Sequence, residues 1–132
     1  MLLLNSINQM QGEMKEWRKD LHKIPEIGLE EYKTSSYIKE KLSLWGIEFK
    51  DGYATTGVVA WVKGNKGNSK KSIGLRADFD ALPMTEKNTF AHKSSNDGLM
   101  HACGHDGHTS MLLGAAKYLN ENKDFDGNVI FI

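Results

Sequence analysis

Hydrophobic positions recur with a helical period at the start of the chain. Ile7, Met10, Met14, Trp17 and Leu21 fall three and four residues apart, which lines one face of a helix from about Asn5 to His22. Asn5 or Ser6 is placed to cap it, and Pro25 stops it. The Met and Trp stripe reads as core packing. A second helix is expected from about Glu30 to Trp45, with Ile38, Leu42 and Trp45 on one face and Gly46 ending it. Glu30 and Glu31 sit at its start, where the helix dipole favours negative charge. His22 and His92 read as surface or capping residues.

The period then shortens. Val58-Val59-Ala60-Trp61-Val62 is β-branched and apolar, which predicts a strand. Lys63-Gly64-Asn65-Lys66-Gly67-Asn68 reads as a hairpin loop. Ser72-Ile73-Gly74-Leu75-Arg76-Ala77 reads as the returning, more buried strand. Asp78 to about Met100 is irregular. A helix from His105 or Gly107 to about Asn122 carries Leu112, Ala115, Ala116 and Leu119 on one side. Asp126-Gly127 turns the chain into the apolar strand Asn128-Val129-Ile130-Phe131-Ile132. Strand, loop, helix and strand in that order make a βαβ crossover. The expected class is therefore α/β, with a mixed, mainly parallel sheet and flanking helices. Ligand sites in such sheets form at the carboxyl ends of strands, beside helix N-termini. Asp78 and Asp80 leave one strand end, and a His/Cys cluster opens the crossover helix. The two groups should meet in space. Ile132 ends the chain inside an apolar strand, which predicts a truncated domain and an open sheet edge at Val129–Ile132.

Composition narrows the function. Lys plus Arg and Asp plus Glu are 17 each among 132 residues, so the net charge is zero and a basic nucleic-acid surface is not expected. Met1-Leu2-Leu3-Leu4 is too short for a signal core. No apolar run approaches the ~20 residues of a membrane span. The single cysteine, with no export signal, fits the cytoplasm.

The cluster His101-Ala102-Cys103-Gly104-His105-Asp106-Gly107-His108 holds three histidines, an aspartate and that cysteine. Thiolate and imidazole together suit a borderline divalent metal. Cys103 and His105 can converge on one ion from extended backbone. His105 and His108 share a helix face. A packed cluster with a capping Asp106, a Cys–His nucleophile and a structural zinc are the alternatives. Three histidines exceed what a dyad needs, and paired Cys-x-x-Cys motifs are missing. In Asp78-Phe79-Asp80 two carboxylates face one way, to bind metal or to orient a histidine. Arg76 is a candidate ion-pair partner.

Three segments together carry a resemblance: Leu21-His22-Lys23-Ile24-Pro25-Glu26-Ile27-Gly28, Gly74-Leu75-Arg76-Ala77-Asp78-Phe79-Asp80-Ala81-Leu82-Pro83-Met84, and the cluster at 101–108. In that order they resemble the amidohydrolase branch of the aminoacylase/carboxypeptidase G metallopeptidase superfamily, which includes hippurate hydrolases. The resemblance implies a phosphorylase/hydrolase-like three-layer catalytic domain and a dinuclear manganese or zinc centre that hydrolyses the amide of N-acyl amino acids. It implies that Cys103 is a metal ligand, the bridging one, and His105 another. It implies that Asp80 is the supporting carboxylate and that His101 and His108 support the site; Asp106 and Asp78 are further supporting candidates from their positions in the sequence. Members are longer: a Glu-Glu pair follows the strand matching Asn128–Ile132, then further histidines and a dimerisation domain. Residues 1–132 would then be the N-terminal part of a catalytic domain, without general base or lid domain, and inactive alone. The rivals are a non-catalytic module assembling through its open sheet edge, and a thiol enzyme using Cys103.

Overall fold

The computed structural model describes residues 2–132, with side chains described from Asn5 onward. In chain order it contains α1 (Leu2–His22), α2 (Tyr32–Leu44), β1 (Glu48–Tyr53), β2 (Gly57–Lys63), β3 (Ser72–Leu75), α3 (His105–Glu121) and β4 (Asn128–Phe131). Helix α1 begins before Asn5 and Ser6, so those residues lie inside it and cap nothing. The α1 stripe is buried as its period predicts, with Trp17 and Leu21 inaccessible. Its main neighbour is α3, where Gly114 leaves room for Met14: a Cβ there would lie 2.8 Å from Met14 Cε. The rings of Trp17 and Trp45 meet at 5.1 Å, tying α1 to the end of α2.

Helix α2 is capped from a distance. The Glu26 carboxylate accepts the backbone N–H of Lys33 at 3.0 Å and of Thr34 at 2.8 Å. A negative group thus meets the free amides of the first turn. Glu31 turns inward and accepts the Thr56 hydroxyl at 2.6 Å.

The sheet order is β1-β2-β4-β3. β1 and β2 pair antiparallel, as do β2 and β4, while β3 and β4 pair parallel. The α/β class and the crossover through α3 hold, but antiparallel pairings outnumber the parallel one among the described residues. Three further expectations are corrected. β2 and β3 do not form a hairpin, because β4 fills the slot between them. The segment after β2 instead docks on the turn before β4, where Gly64 N–H donates to the Gly127 carbonyl at 2.9 Å and Lys66 N–H to that of Phe125 at 3.0 Å. β3 is not the more buried strand: it lies at the sheet edge, and Ile73 is 58% exposed. Val129–Phe131, expected at an edge, is interior, and the free edges belong to β1 and β3. The hairpin partner of β2 is β1, a strand the apolar pattern did not show. Glu48, Lys50 and Asp51 keep it polar, as suits an exposed edge.

Val58, Ala60, Val62, Val129 and Phe131 alternate onto one sheet face and form a single core with Met10, Trp17, Ile38, Leu42, Leu113 and Ala116 of the three helices. Val59, Trp61 and Ile130 point the other way and lie outside that core. Among the described residues the helices therefore cover one face, giving two of the three layers expected. No described helix is long and apolar enough to cross a membrane.

The Gly64 contact is testable. A Cβ at this position would lie 2.0 Å from the Phe125 carbonyl oxygen. Gly64→Ala should destabilise the fold by about 1–3 kcal/mol, the usual range for overpacking, read as a lowered midpoint in thermal unfolding followed by circular dichroism.

Candidate metal centre

The parallel pairing of β3 with β4 fixes where the polar residues go. Beyond β3, the Ala77 N–H donates to the Ile132 carbonyl at 3.0 Å, and the Thr109 hydroxyl of α3 donates to the Asp78 carbonyl at 2.9 Å. The strand exit is thus held against the first turns of α3. Ala81 N–H, donating to the Glu26 carbonyl at 2.8 Å, anchors the far side of Asp80.

Two histidine–carboxylate pairs form across this junction. His105 Nδ1 lies 2.8 Å from Asp80 Oδ1 and 2.9 Å from the Asp80 carbonyl. Both partners are acceptors, so Nδ1 carries a proton, and Nε2 is the ring atom left to face a metal. Asp78 Oδ2 stands 3.6 Å from that Nε2. His108 Nδ1 donates to Asp78 Oδ1 at 2.7 Å. The two imidazoles, three residues apart on α3, stack at 5.5 Å. One ligand atom each from Asp78, His105 and His108 lies within 4.8 Å of the others, close enough to share an ion. The His108 hydrogen bond, then the His105 charge, hold the Asp78 carboxyl below its ordinary range despite partial burial. Arg76 adds little: it is 70% exposed and 3.8 Å from Asp78.

The remaining candidates of the cluster go elsewhere. Cys103 is exposed in the loop before α3 and stands outside the group of three. Gly104, at φ +88°, allows the sharp entry into the helix there. His101 is 5% exposed, with no hydrogen-bond partner on either ring nitrogen. Burial pushes its pKa down, partly offset by Asp106. Asp106, 3% exposed, turns away from Asp78 and Asp80 and receives His22 Nδ1 at 2.7 Å and Arg18 Nε at 3.1 Å.

His22, Arg18 and Glu86 are the residues sequence reasoning missed. His22 is 2% exposed, not a surface residue, and its Nε2 lies 3.0 Å from Glu86 Oε1. Arg18 and His22, four apart, share a helix face. That spacing was the available signal. Glu86 lies in the irregular segment, where no period marks it. His92 is half-buried and stacks on Phe90 at 4.0 Å.

Burial opposes ionisation of Glu86. The Ser94 N–H, the Asn88 amide and His22 outweigh it and hold its pKa at about 2, against an ordinary 4.5. A depressed carboxyl stabilises the fold fully above its unfolded value and loses that contribution as pH falls through its folded value. Between pH 4.5 and about 2, the wild-type melting temperature should therefore fall more steeply than that of Glu86→Gln. Parallel acid-range melting curves would contradict the network.

Residues 74–132 match the family model for peptidase family M20/M25/M40. The chain is 46% identical over 127 residues to a hippurate hydrolase of Campylobacter jejuni, covering 96% of this chain and 32% of that protein. It is 40% identical over 118 residues to an N-acyl-L-amino acid amidohydrolase of Geobacillus stearothermophilus, covering 89% and 31%. A Bacillus subtilis structure described as a dinuclear metal binding peptidase from the M20 family superposes with a TM-score of 0.87 at 37% identity, over 94% of this chain and 35% of that one. The chain spans about a third of the length of these curated relatives. With the mixed sheet and the histidine–carboxylate junction in place, the chain belongs to peptidase family M20/M25/M40.

Proposed function

We propose that the chain is the N-terminal part of the catalytic domain of a metal-dependent amidohydrolase acting on N-acyl amino acids, and that it supplies one half of a dinuclear manganese or zinc site. The carrying observation is His105. Asp80 fixes its Nδ1 proton, leaving Nε2 free beside Asp78. A carboxylate–histidine pair of this kind orients the ring and raises its basicity toward a metal. Imidazole, carboxylate and the accessible Cys103 thiol form a donor set that fits borderline divalent ions.

His105 is the ligand and Asp80 its orienting carboxylate. Cys103 joins His105 on the strength of the family resemblance. A second ligand set, favoured by distance, joins Asp78 and His108 to His105. When bound, the metals polarise the amide carbonyl and lower the pKa of attacking water. The junction holds the His105 proton on Nδ1 and keeps Asp78 ionised. The general base lies outside these residues, as do the remaining ligands.

Cobalt(II) titration of the purified chain tests this. Wild type should bind with a ligand-field spectrum, and His105→Ala should abolish it. Asp80→Asn should weaken affinity roughly 10- to 100-fold, as for other orienting partners of metal ligands. Cys103→Ser should remove a thiolate charge-transfer band. If that band is missing in wild type and Asp78→Asn abolishes binding, the second ligand set replaces the first. An unchanged spectrum in His105→Ala overturns the metal reading.

For lack of a base, the 132-residue chain should show no turnover of N-acyl amino acids with added manganese. Turnover that Cys103→Ser abolishes would overturn this. One observation favours self-association as a second role: β3 is an edge strand with Ile73 58% exposed. Light scattering at high concentration decides, since a clean monomer excludes it.

A further inference from the structure

The buried pair of carboxylates around His22 points to a role for that residue at the metal centre. His22 is the last residue of α1, and its ring bridges two segments far away in sequence. Nδ1 meets Asp106 Oδ2 at 2.7 Å, and Nε2 meets Glu86 Oε1 at 3.0 Å. The ring thus sets one nitrogen against each carboxylate. Arg18, one turn earlier, adds a cation 3.1 Å from the same Asp106 oxygen. The buried His22 ring and the partly exposed Arg18 guanidinium thus lie against two buried carboxylates.

The first turn of α3 depends on this arrangement. Its N-cap is Gly104, which offers no side chain to the free amides. Asp106, the second residue of the helix, bonds into this turn: its Oδ1 accepts the Gly107 N–H at 3.0 Å, an amide shared with the Gly104 carbonyl at 2.9 Å, while Oδ2 lies against His22 and Arg18. Asp106 adjoins His105 and lies two residues before His108. Its anchorage therefore sets the rotation and depth of the turn that carries both. Glu86 closes the other side, accepting the Ser94 N–H and the Asn88 amide, so the same ring fixes the segment leading to His101. His101 faces His22 with ring centres 6.3 Å apart.

We infer that His22 is a positioning residue of the metal centre: through Asp106 it holds the first turn of α3 so that His105 meets Asp80 with Nε2 free. This rests on reading His105 as a metal ligand.

Two substitutions separate the contacts of His22. Asparagine places its amide nitrogen near the position of imidazole Nδ1, and glutamine near that of Nε2. His22→Asn should keep the Asp106 contact and His22→Gln the Glu86 contact, while each loses the other. Cobalt(II) affinity of the full chain should fall roughly tenfold or more in His22→Gln and stay within about threefold of wild type in His22→Asn, in line with losses at groups that orient ligands. Thermal unfolding should be lowered similarly in both, which separates positioning from stability. Without metal, nitrogen-15 NMR of the imidazoles should show His105 protonated on Nδ1 in wild type and His22→Asn, and a tautomer mixture in His22→Gln.

Equal affinities in the two variants, or losses that follow the folded fraction, overturn the inference. So does an unchanged His105 tautomer in folded His22→Gln. If wild type binds no cobalt, the metal reading fails, while the NMR comparison still decides whether His22 positions His105.

Discussion

The parallel pairing of β3 with β4, joined through α3, is the constraint on which the rest of the molecule turns. A parallel pair needs a crossover, and the crossover helix must start near the carboxyl end of the first strand. That geometry delivers Asp78 and Asp80 to the same corner as His105 and His108. It also buries Val129 and Phe131 against the apolar side of α3. The hydrophobic work that closes the core is therefore the same work that assembles the polar junction. A change in the crossover would cost both together.

The junction has two layers with different jobs. Near the surface, Asp80 and Asp78 hold the two imidazoles of α3 in fixed tautomers. Beneath it, Asp106 points inward to α1, where it meets His22 and Arg18. The alternation follows from helical geometry: residues 105 and 108 share one face, and 106 falls about 100° away. A short run of ligand-type residues is thus divided by the helix into a face for chemistry and a face for anchorage. Buried charge is tolerated on the second face because each carboxylate there is paired or hydrogen-bonded.

Much of the architecture was legible in the chain. Helical periods located α1, α2 and α3, and the run from Asn128 to Ile132 located β4. The crossover, the class and the meeting of Asp78 and Asp80 with the cluster followed from element order. The failures have a common source. The turn signals at Lys63–Asn68 state that the chain bends, but not which strand occupies the space beside it. A strand from the far end of the sequence did so, displacing β3 to the edge. β1 escaped notice because an edge strand is exposed enough to remain polar. His22 looked superficial because burial of a polar side chain depends on partners 84 and 64 residues away.

Sequence by itself determined the periods, the element order, the membership of the family and the residue types available for a metal. It did so because these depend on local spacing and on motifs contiguous in the chain. Only the tertiary structure decided which of those residues face one another. It put Asp80 on His105 and Asp78 on His108, turned Asp106 and His101 inward, and left Cys103 exposed. Those choices come from long-range packing: the depth at which α3 settles between α1 and the sheet sets each side chain's direction, and no local pattern encodes that depth.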